Sequence, residues 1–91
     1  MYPIVISDEA QLDISESSEY YLEISEDLQE RFLSEIIAAI DEVQTNPTLH
    51  QIRYRNIRIA FTQVFPFGIH FFIDSNTIFI NRILHTKRFF K

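Results

Sequence analysis

The stretch FGIHFFIDSNTIFINRIL, residues 67–84, decides the fold of this chain. Over residues 67–73, apolar side chains occupy every second position, which is the period expected of a half-buried β-strand. The polar residues 74–76 form a turn, and residues 77–84 are apolar on both sides, as in a central strand. Because a connection this short joins neighbouring antiparallel strands, the stretch predicts two strands of a meander.

Further strands are predicted before this stretch. Residues 57–62 alternate in the same way, and residues 50–54 form a short additional strand on a briefer alternation. An apolar run at residues 2–6, with β-branched side chains, predicts the first strand. The tail from residue 86 to residue 91 shows no periodic continuation. The sheet is therefore expected to have four or five strands.

Between the first strand and the meander, the sequence predicts two helices joined by a short turn. Ser7 or Asp8 provides the N-cap of a helix over residues 8–24, and a second capping signal follows at residues 25–28. Asn46-Pro47 ends the second helix. The predicted buried stripe of the first helix is Ala10, Ile14, Ser17, Tyr21 and Ile24. That of the second helix is Leu28, Ile40 and Val43, together with either Phe32 and Ile36 or Leu33 and Ile37.

The order of these elements predicts one α+β domain over residues 1–91, because a chain this short cannot build two cores. The expected architecture is β-α-α-β-β-β, with the short strand at residues 50–54 as a further element. The N-terminal strand and the helical hairpin are expected to pack on one face of a mainly antiparallel sheet. No internal repeat or Gly/Ser linker divides the chain.

Charge is distributed unevenly along the sequence. Residues 1–50 carry twelve acids and one base, whereas residues 51–91 carry one acid and seven bases, and the net charge is −5. This balance argues against a protein that coats DNA or RNA through bulk attraction, so any contact with nucleic acid must be local.

The composition also indicates where the protein works. Without cysteine, the chain has no disulfide framework and no thiol nucleophile, which fits a reducing compartment. No segment is apolar enough to span a membrane, and the acidic N-terminal region lacks the features of a signal peptide. A soluble, cytoplasmic protein without membrane contact is expected.

Basic residues of the second half form the candidate site for contact with a target. Arg58, His70 and Phe72 are expected on the sheet face opposite the helices, where guanidinium, imidazole and aromatic groups suit contact with phosphates and bases. The alternative is that arginines at strand ends keep a sheet edge soluble. The candidates for target or nucleic-acid contact are Arg53, Arg55, Arg58, His70, Arg82, His85, Lys87 and Arg88.

Other patterns argue against several classes of enzyme. The three histidines lie 20 and 15 positions apart, so they lack the pair spacing of a metal site, and no metal is expected. The single glycine excludes a glycine-rich phosphate loop, and no serine has an evident partnered base. Glu16, Glu19 and Glu23 on one helix are typical of a solvated face. No cofactor is expected.

The order of six short motifs along the chain carries a resemblance to a known family. FPFGIHFFI at residues 65–73 is similar to a family strand of the form FPY-x-I-x-Y, and ILHTKR at residues 83–88 is similar to a strand end of the form VLH-x-x-R. By these motifs the chain resembles the RelE/ParE superfamily of bacterial type II toxin–antitoxin toxins. The other four motifs are SDEA at 7–10, YY at 20–21, RFL at 31–33 and NP at 46–47.

Two activities follow from this resemblance. The RelE branch consists of ribosome-dependent mRNA endonucleases that use strand-borne Arg and Lys and a C-terminal Tyr without a metal, whereas the ParE branch inhibits DNA gyrase. Here Gly68 stands where RelE toxins carry a strand arginine, and Phe89 and Phe90 stand in place of the tyrosine. The ending His85-x-x-Arg88 is more similar to the ParE side, which is therefore favoured.

The resemblance also implies partners. A cognate antitoxin is expected to add a strand at a sheet edge or a helix in a groove, and the target is DNA gyrase or, in the alternative, the ribosome and its mRNA. Arg58, Arg82 and Arg88 are the arginines most expected to meet the target. A homodimer and a toxin-like binding module without activity both remain open, as does the question of whether the protein is an enzyme.

Overall fold

The alternating and helical segments of the sequence become five strands and three α-helices in the computed structural model, which describes residues 2–89 and the side chains of residues 2–87. The elements are β1 (Ile4–Ile6), α1 (Asp8–Ile24), α2 (Glu26–Thr45), a 3-10 turn (Pro47–Leu49), β2 (Ile52–Tyr54), β3 (Ile57–Phe61), β4 (Phe67–Asp74), β5 (Thr77–His85) and α3 (Thr86–Phe89).

The strands form one mixed sheet in the order β1-β5-β4-β3-β2. Strands β2 to β5 pair antiparallel with their neighbours, which confirms the predicted meander and the α+β class. β1 pairs parallel with β5 and thereby becomes an edge strand of the sheet. The predicted strand at residues 50–54 is β2, and the tail, whose sequence is not periodic, begins with the helical turn α3.

Serine side chains start both long helices. The Ser7 hydroxyl accepts a hydrogen bond from the backbone N–H of Ala10 at 3.0 Å, so Ser7, rather than Asp8, is the N-cap of α1. Ser25 caps α2 in the same way through the N–H of Leu28 at 3.0 Å. Its own backbone N–H donates to Tyr21, the last hydrogen bond of α1. One extended residue therefore ends one helix and begins the next, which holds the hairpin tight.

The core lies between the helical hairpin and one face of the sheet. On α2 the buried stripe uses Phe32 and Ile36, whereas Ile37 is 61% exposed. Phe32 lies with its ring centroid 5.1 Å from that of Phe67 on β4, and burial of a side chain this large contributes about 2–3 kcal/mol. The prediction that Ile24 belongs to the buried face of α1 is wrong, because the residue is 60% exposed at the end of the helix.

Strand β3 turns its faces the opposite way from the prediction. Arg58 and Ala60 pair with Phe71 and Ile69, so both lie on the face covered by the helices, where Ala60 belongs to the core. Ile59 pairs with His70 on the other face. The expectation that Arg58 lies opposite the helices is therefore wrong, because the register with β4, rather than side-chain size, sets which face each residue takes.

A β-bulge interrupts the pairing of β4 with β5. His70 pairs with Arg82, while the next residue, Phe71, pairs with Ile80, so Asn81 is the extra residue. The bulge shifts the alternation of β5 by one position. Consequently Ile80 and Ile83, which are three positions apart, both belong to the core.

Candidate functional site

Strand β1 covers only the first half of the outer edge of β5. Its pairing ends at Ile6, opposite Ile80, and within residues 2–89 no strand pairs with the outer edge beyond that point. Side chains from the start of α1 take the place of the missing strand. The Ser7 hydroxyl donates to the Asn81 carbonyl at 2.8 Å, and an Asp13 carboxylate oxygen accepts from the Ile83 N–H at 2.9 Å.

The same carboxylate holds Arg82. Nε and one Nη of Arg82 donate to the two oxygens of Asp13 at 2.8 Å and 2.9 Å, a bidentate pair. The Asp13 side chain is only 11% exposed, whereas that of Arg82 is 45% exposed. The hydrogen bond to Asp13 raises the pKa of Arg82, and the charges of Asp13, Glu9 and Glu16 act in the same direction. Arg82 therefore has an internal counter-ion in Asp13.

A groove lies beside this ion pair, between α1 and β5. Its volume is about 840 Å³, and its walls combine apolar side chains with the acidic residues of α1. Tyr20 and Ile24, on the helix wall, are 61% and 60% exposed. The other lining residues include Glu16, Phe67 and Leu84. The groove thus combines apolar side chains with Glu16 and the Asp13–Arg82 ion pair.

The β2–β3 hairpin carries three arginines in a different setting. The Arg53 guanidinium lies over the ring of Phe61 at 5.5 Å from its centroid, and Arg58 donates from Nη1 to the carbonyl of His50 at 2.7 Å. Arg55 sits in the turn with φ = 50°, in the left-handed region. Within the described residues, none of these three arginines forms an ion pair with a carboxylate.

His70 is buried in the middle of the sheet, at 1% exposure. Its Nδ1 shares a hydrogen bond of 2.9 Å with the Tyr54 hydroxyl. Burial lowers the pKa of His70, the positive charge of Arg82 lowers it further, and Asp13 opposes the shift. The imidazole is accordingly suited to a neutral, structural role rather than to anion contact.

The last predicted residues lie around the start of α3. The Nδ1 of His85 accepts a hydrogen bond from the Lys87 N–H at 3.3 Å, so His85 helps to hold this helical turn. Lys87 is exposed. The side chains of Arg88 and Phe89, and all of Phe90, lie outside the described residues.

The predicted basic residues therefore do not form one surface. Arg53, Arg55 and Arg58 lie on the β2–β3 hairpin at one end of the sheet, whereas Arg82 lies on β5, beyond the intervening strand β4. The prediction of a single arginine-bearing face is wrong, since Arg58 lies on the face covered by the helices and Arg82 is paired with Asp13.

A family model for the ParE toxin of type II toxin–antitoxin systems, parDE, matches residues 4–90. The chain belongs to this family. The family resemblance predicted from the sequence is thereby confirmed for almost the whole chain. No curated protein matches.

A solved structure shares the fold of this ParE-family chain. It is described as the chromosomal ParDE toxin–antitoxin system from P. aeruginosa, with a TM-score of 0.78 and 18% sequence identity. The alignment covers 93% of this chain and 96% of that one. The strand, the helical hairpin and the sheet are thus the common frame on which this family member carries its surface residues.

Gly68 distinguishes this ParE-family chain at the position where RelE toxins carry a strand arginine. A Cβ atom added at Gly68 would lie 2.8 Å from Cγ2 of Ile59, closer than side-chain atoms normally approach. Because Ile59 is β-branched and buried, it cannot easily move away. A side chain at position 68 would therefore force β3 or β4 to shift at this contact.

Two carboxylates of this ParE-family chain have roles that the sequence does not predict. The helical pattern places Asp13 on the outer faces of α1 and gives no signal for Glu35. Glu35 accepts from the N–H groups of Val64 and Phe65, at 3.1 Å and 2.7 Å, and so fixes the loop before β4. Both contacts span more than 25 positions, so no local spacing signals them. The described part of the chain contains no group of three or more candidate metal ligands and no helix that could cross a membrane.

Proposed function

We propose that the protein is the toxin of a type II toxin–antitoxin pair, that it inhibits DNA gyrase, and that a cognate antitoxin neutralises it in the cytoplasm. The observation that carries the proposal is the match to the ParE toxin family over residues 4–90. A match of this extent covers both the helical hairpin and every strand of the sheet, so it concerns the whole domain and not one motif.

The geometry supports gyrase inhibition over ribosome-dependent mRNA cleavage. A nuclease of the RelE kind needs a cationic side chain near the scissile phosphate, and the contact between Gly68 and Ile59 leaves no room for one at that position. His70 is buried with a lowered pKa, and Arg82 is held by Asp13. These three positions therefore offer no obvious acid, base or free cation for phosphodiester cleavage.

The groove between α1 and β5 supports the antitoxin part of the proposal. Exposed Tyr20 and Ile24 give it an apolar wall against which an antitoxin segment can pack. An antitoxin segment lying here would cover apolar surface that otherwise faces water. A homodimer stays a prediction, which light scattering on the isolated protein would test.

The test is to induce the chain alone in bacteria and to assay the purified protein in two reactions. Growth arrest, loss of supercoiling by gyrase and intact mRNA on translating ribosomes are the expected results. Coexpression of the protein encoded by the neighbouring reading frame should restore growth. Cleaved mRNA with unaffected gyrase would instead establish the endonuclease, and normal growth with neither effect would establish a binding module without toxicity.

A further inference from the structure

The three arginines of the β2–β3 hairpin are uncompensated cations in the described structure. Arg31 and Arg82 each contact a carboxylate, at 3.4 Å and 2.8 Å, whereas no carboxylate among the described residues contacts Arg53, Arg55 or Arg58. A guanidinium without a counter-ion keeps its full attraction for an external anion. The hairpin is thus electrostatically available in a way that the arginine of β5 is not.

The sequence around the hairpin strengthens this local charge. No Asp or Glu occurs between Glu42 and Asp74, so the hairpin, the loop that precedes it and most of β4 are free of acidic residues. All three residues of β2 are exposed. The hairpin therefore presents a compact positive end on a protein whose net charge is −5.

Each of the three arginines has a feature that suits contact with an anion. Arg53 stacks over Phe61, which orients its guanidinium plane, and Arg58 uses one Nη to hold His50, which leaves its other donors for a further partner. Arg55 occupies a left-handed turn position that Gly or Asn would take with less strain. An arginine kept at such a position is consistent with a role outside folding.

We propose that this hairpin binds the phosphodiester backbone of duplex DNA. The inference rests on the proposed function, because gyrase holds duplex DNA and a toxin bound to the enzyme would lie beside it. Arginine is the side chain best suited to phosphate oxygens, through paired N–H donors. Since residues 1–50 carry twelve acids and one base, repulsion from the helical half would turn the hairpin rather than the helices toward the DNA.

The experiment is fluorescence anisotropy of a labelled DNA duplex titrated with the purified full-length protein at several salt concentrations. We expect weak binding that disappears as salt rises from about 50 mM to about 200 mM. The double variant Arg53→Gln/Arg55→Gln should bind about tenfold more weakly. The slope of log affinity against log salt should also become shallower, by about one unit for each arginine–phosphate pair that the variant removes.

Arg31→Gln is the matched control for the single variant Arg53→Gln. Both changes remove one exposed arginine, but only Arg31 already pairs with a carboxylate, so only Arg53→Gln should weaken binding. Thermal unfolding of each variant checks that the fold is intact. Equal decreases in affinity for the two variants would overturn the proposal, and so would absence of duplex binding at the lowest salt.

A second titration, with single-stranded RNA of the same length, distinguishes the source of the phosphates. Tighter binding of RNA through the same arginines would overturn the DNA proposal and would favour a ribosomal target. The supercoiling assay separates this inference from the proposed function. Gyrase inhibition without duplex binding would reject DNA binding by the hairpin and leave the gyrase proposal intact. Arginine-dependent duplex binding without gyrase inhibition would support DNA binding by the hairpin and reject gyrase as the target.

Discussion

The arginines at the two ends of the sheet differ in whether a carboxylate pairs with them. At the β5 end, the Asp13 carboxylate meets both the guanidinium of Arg82 and the backbone N–H of Ile83, so one side chain neutralises a charge and closes a strand edge. At the β2 end, Arg53 and Arg55 extend from a three-residue edge strand and its turn without a described carboxylate partner. The arginine at the first end contributes to stability, whereas the arginines at the second end are available to an external partner.

This difference shows that the position of a charge in the sequence does not determine its availability. Arg82 and Arg58 both lie within strands, yet Arg82 is paired with Asp13 and Arg58 is only hydrogen-bonded to a carbonyl. The compensating carboxylate comes from α1, on the other side of the chain's midpoint. Tertiary contacts therefore decide which cations can act on another molecule.

The largest predicted effect concerns the β5 end, where Asp13 pairs with Arg82. Asp13→Ala removes a bidentate partner of Arg82 and leaves the Ile83 N–H without its acceptor, so we expect a decrease of about 2–3 kcal/mol in the free energy of unfolding. Arg53→Ala should change that free energy by less than about 0.5 kcal/mol. Urea unfolding of both variants gives the comparison, and similar decreases would contradict it.

The centre of the sheet, between the two ends, gives the next effect. Gly68→Ala places a methyl group against Cγ2 of Ile59, and we expect the free energy of unfolding to fall by about 1–2 kcal/mol. In an Ile59→Ala background the added methyl has space, so the same change should cost clearly less. A double-mutant cycle by urea unfolding measures this coupling, and strict additivity would show that the contact is not the cause.

The pH dependence of stability follows from His70, which lies between the two ends. Because its pKa is lowered in the folded state, the unfolded chain takes up a proton first as the pH falls. The free energy of unfolding should therefore decrease as the pH drops below about 6.5, the ordinary value for histidine, and level off below the folded-state pKa. Chemical unfolding at several pH values should show a smaller decrease in His70→Gln, which retains the other two histidines.

The smallest predicted effect concerns the β2 end, whose arginines have no described carboxylate partner. Arg55→Asn should raise the free energy of unfolding by about 0.5 kcal/mol, since asparagine tolerates the left-handed conformation at φ = 50° better than arginine. Arg53→Asn, at a strand position whose φ is not positive, should bring no such gain. If Arg55→Asn stabilises the protein while weakening duplex binding, the arginine is held at this turn at the expense of stability.

Local patterns were sufficient to predict most elements of the fold. Alternation over residues 67–73 predicted β4, the apolar run at residues 77–84 predicted β5, and the capping candidates Ser7 and Asp8 marked the start of α1. These signals are local because strand period and helix capping depend on residues a few positions apart.

The errors concern contacts between distant residues. The faces of β3 depend on whether Ile59 or Ala60 meets Ile69, and only the register with β4 decides this. The partner of Arg82 lies 69 positions away on α1, beyond any spacing rule. For the candidate site, sequence therefore identified the basic residues but not which of them have a counter-ion.

The parallel pairing of β1 with β5 has a consequence for how the chain folds. Ser7 and Asn81, which meet where the pairing of the two strands ends, are 74 positions apart, so this contact closes a loop containing most of the polypeptide. Such a closure has a large entropic barrier and belongs to the late part of folding, after the local hairpins have formed. While the ribosome is still synthesising β5, the nascent chain can form its helices, but β1 does not yet have the strand with which it pairs.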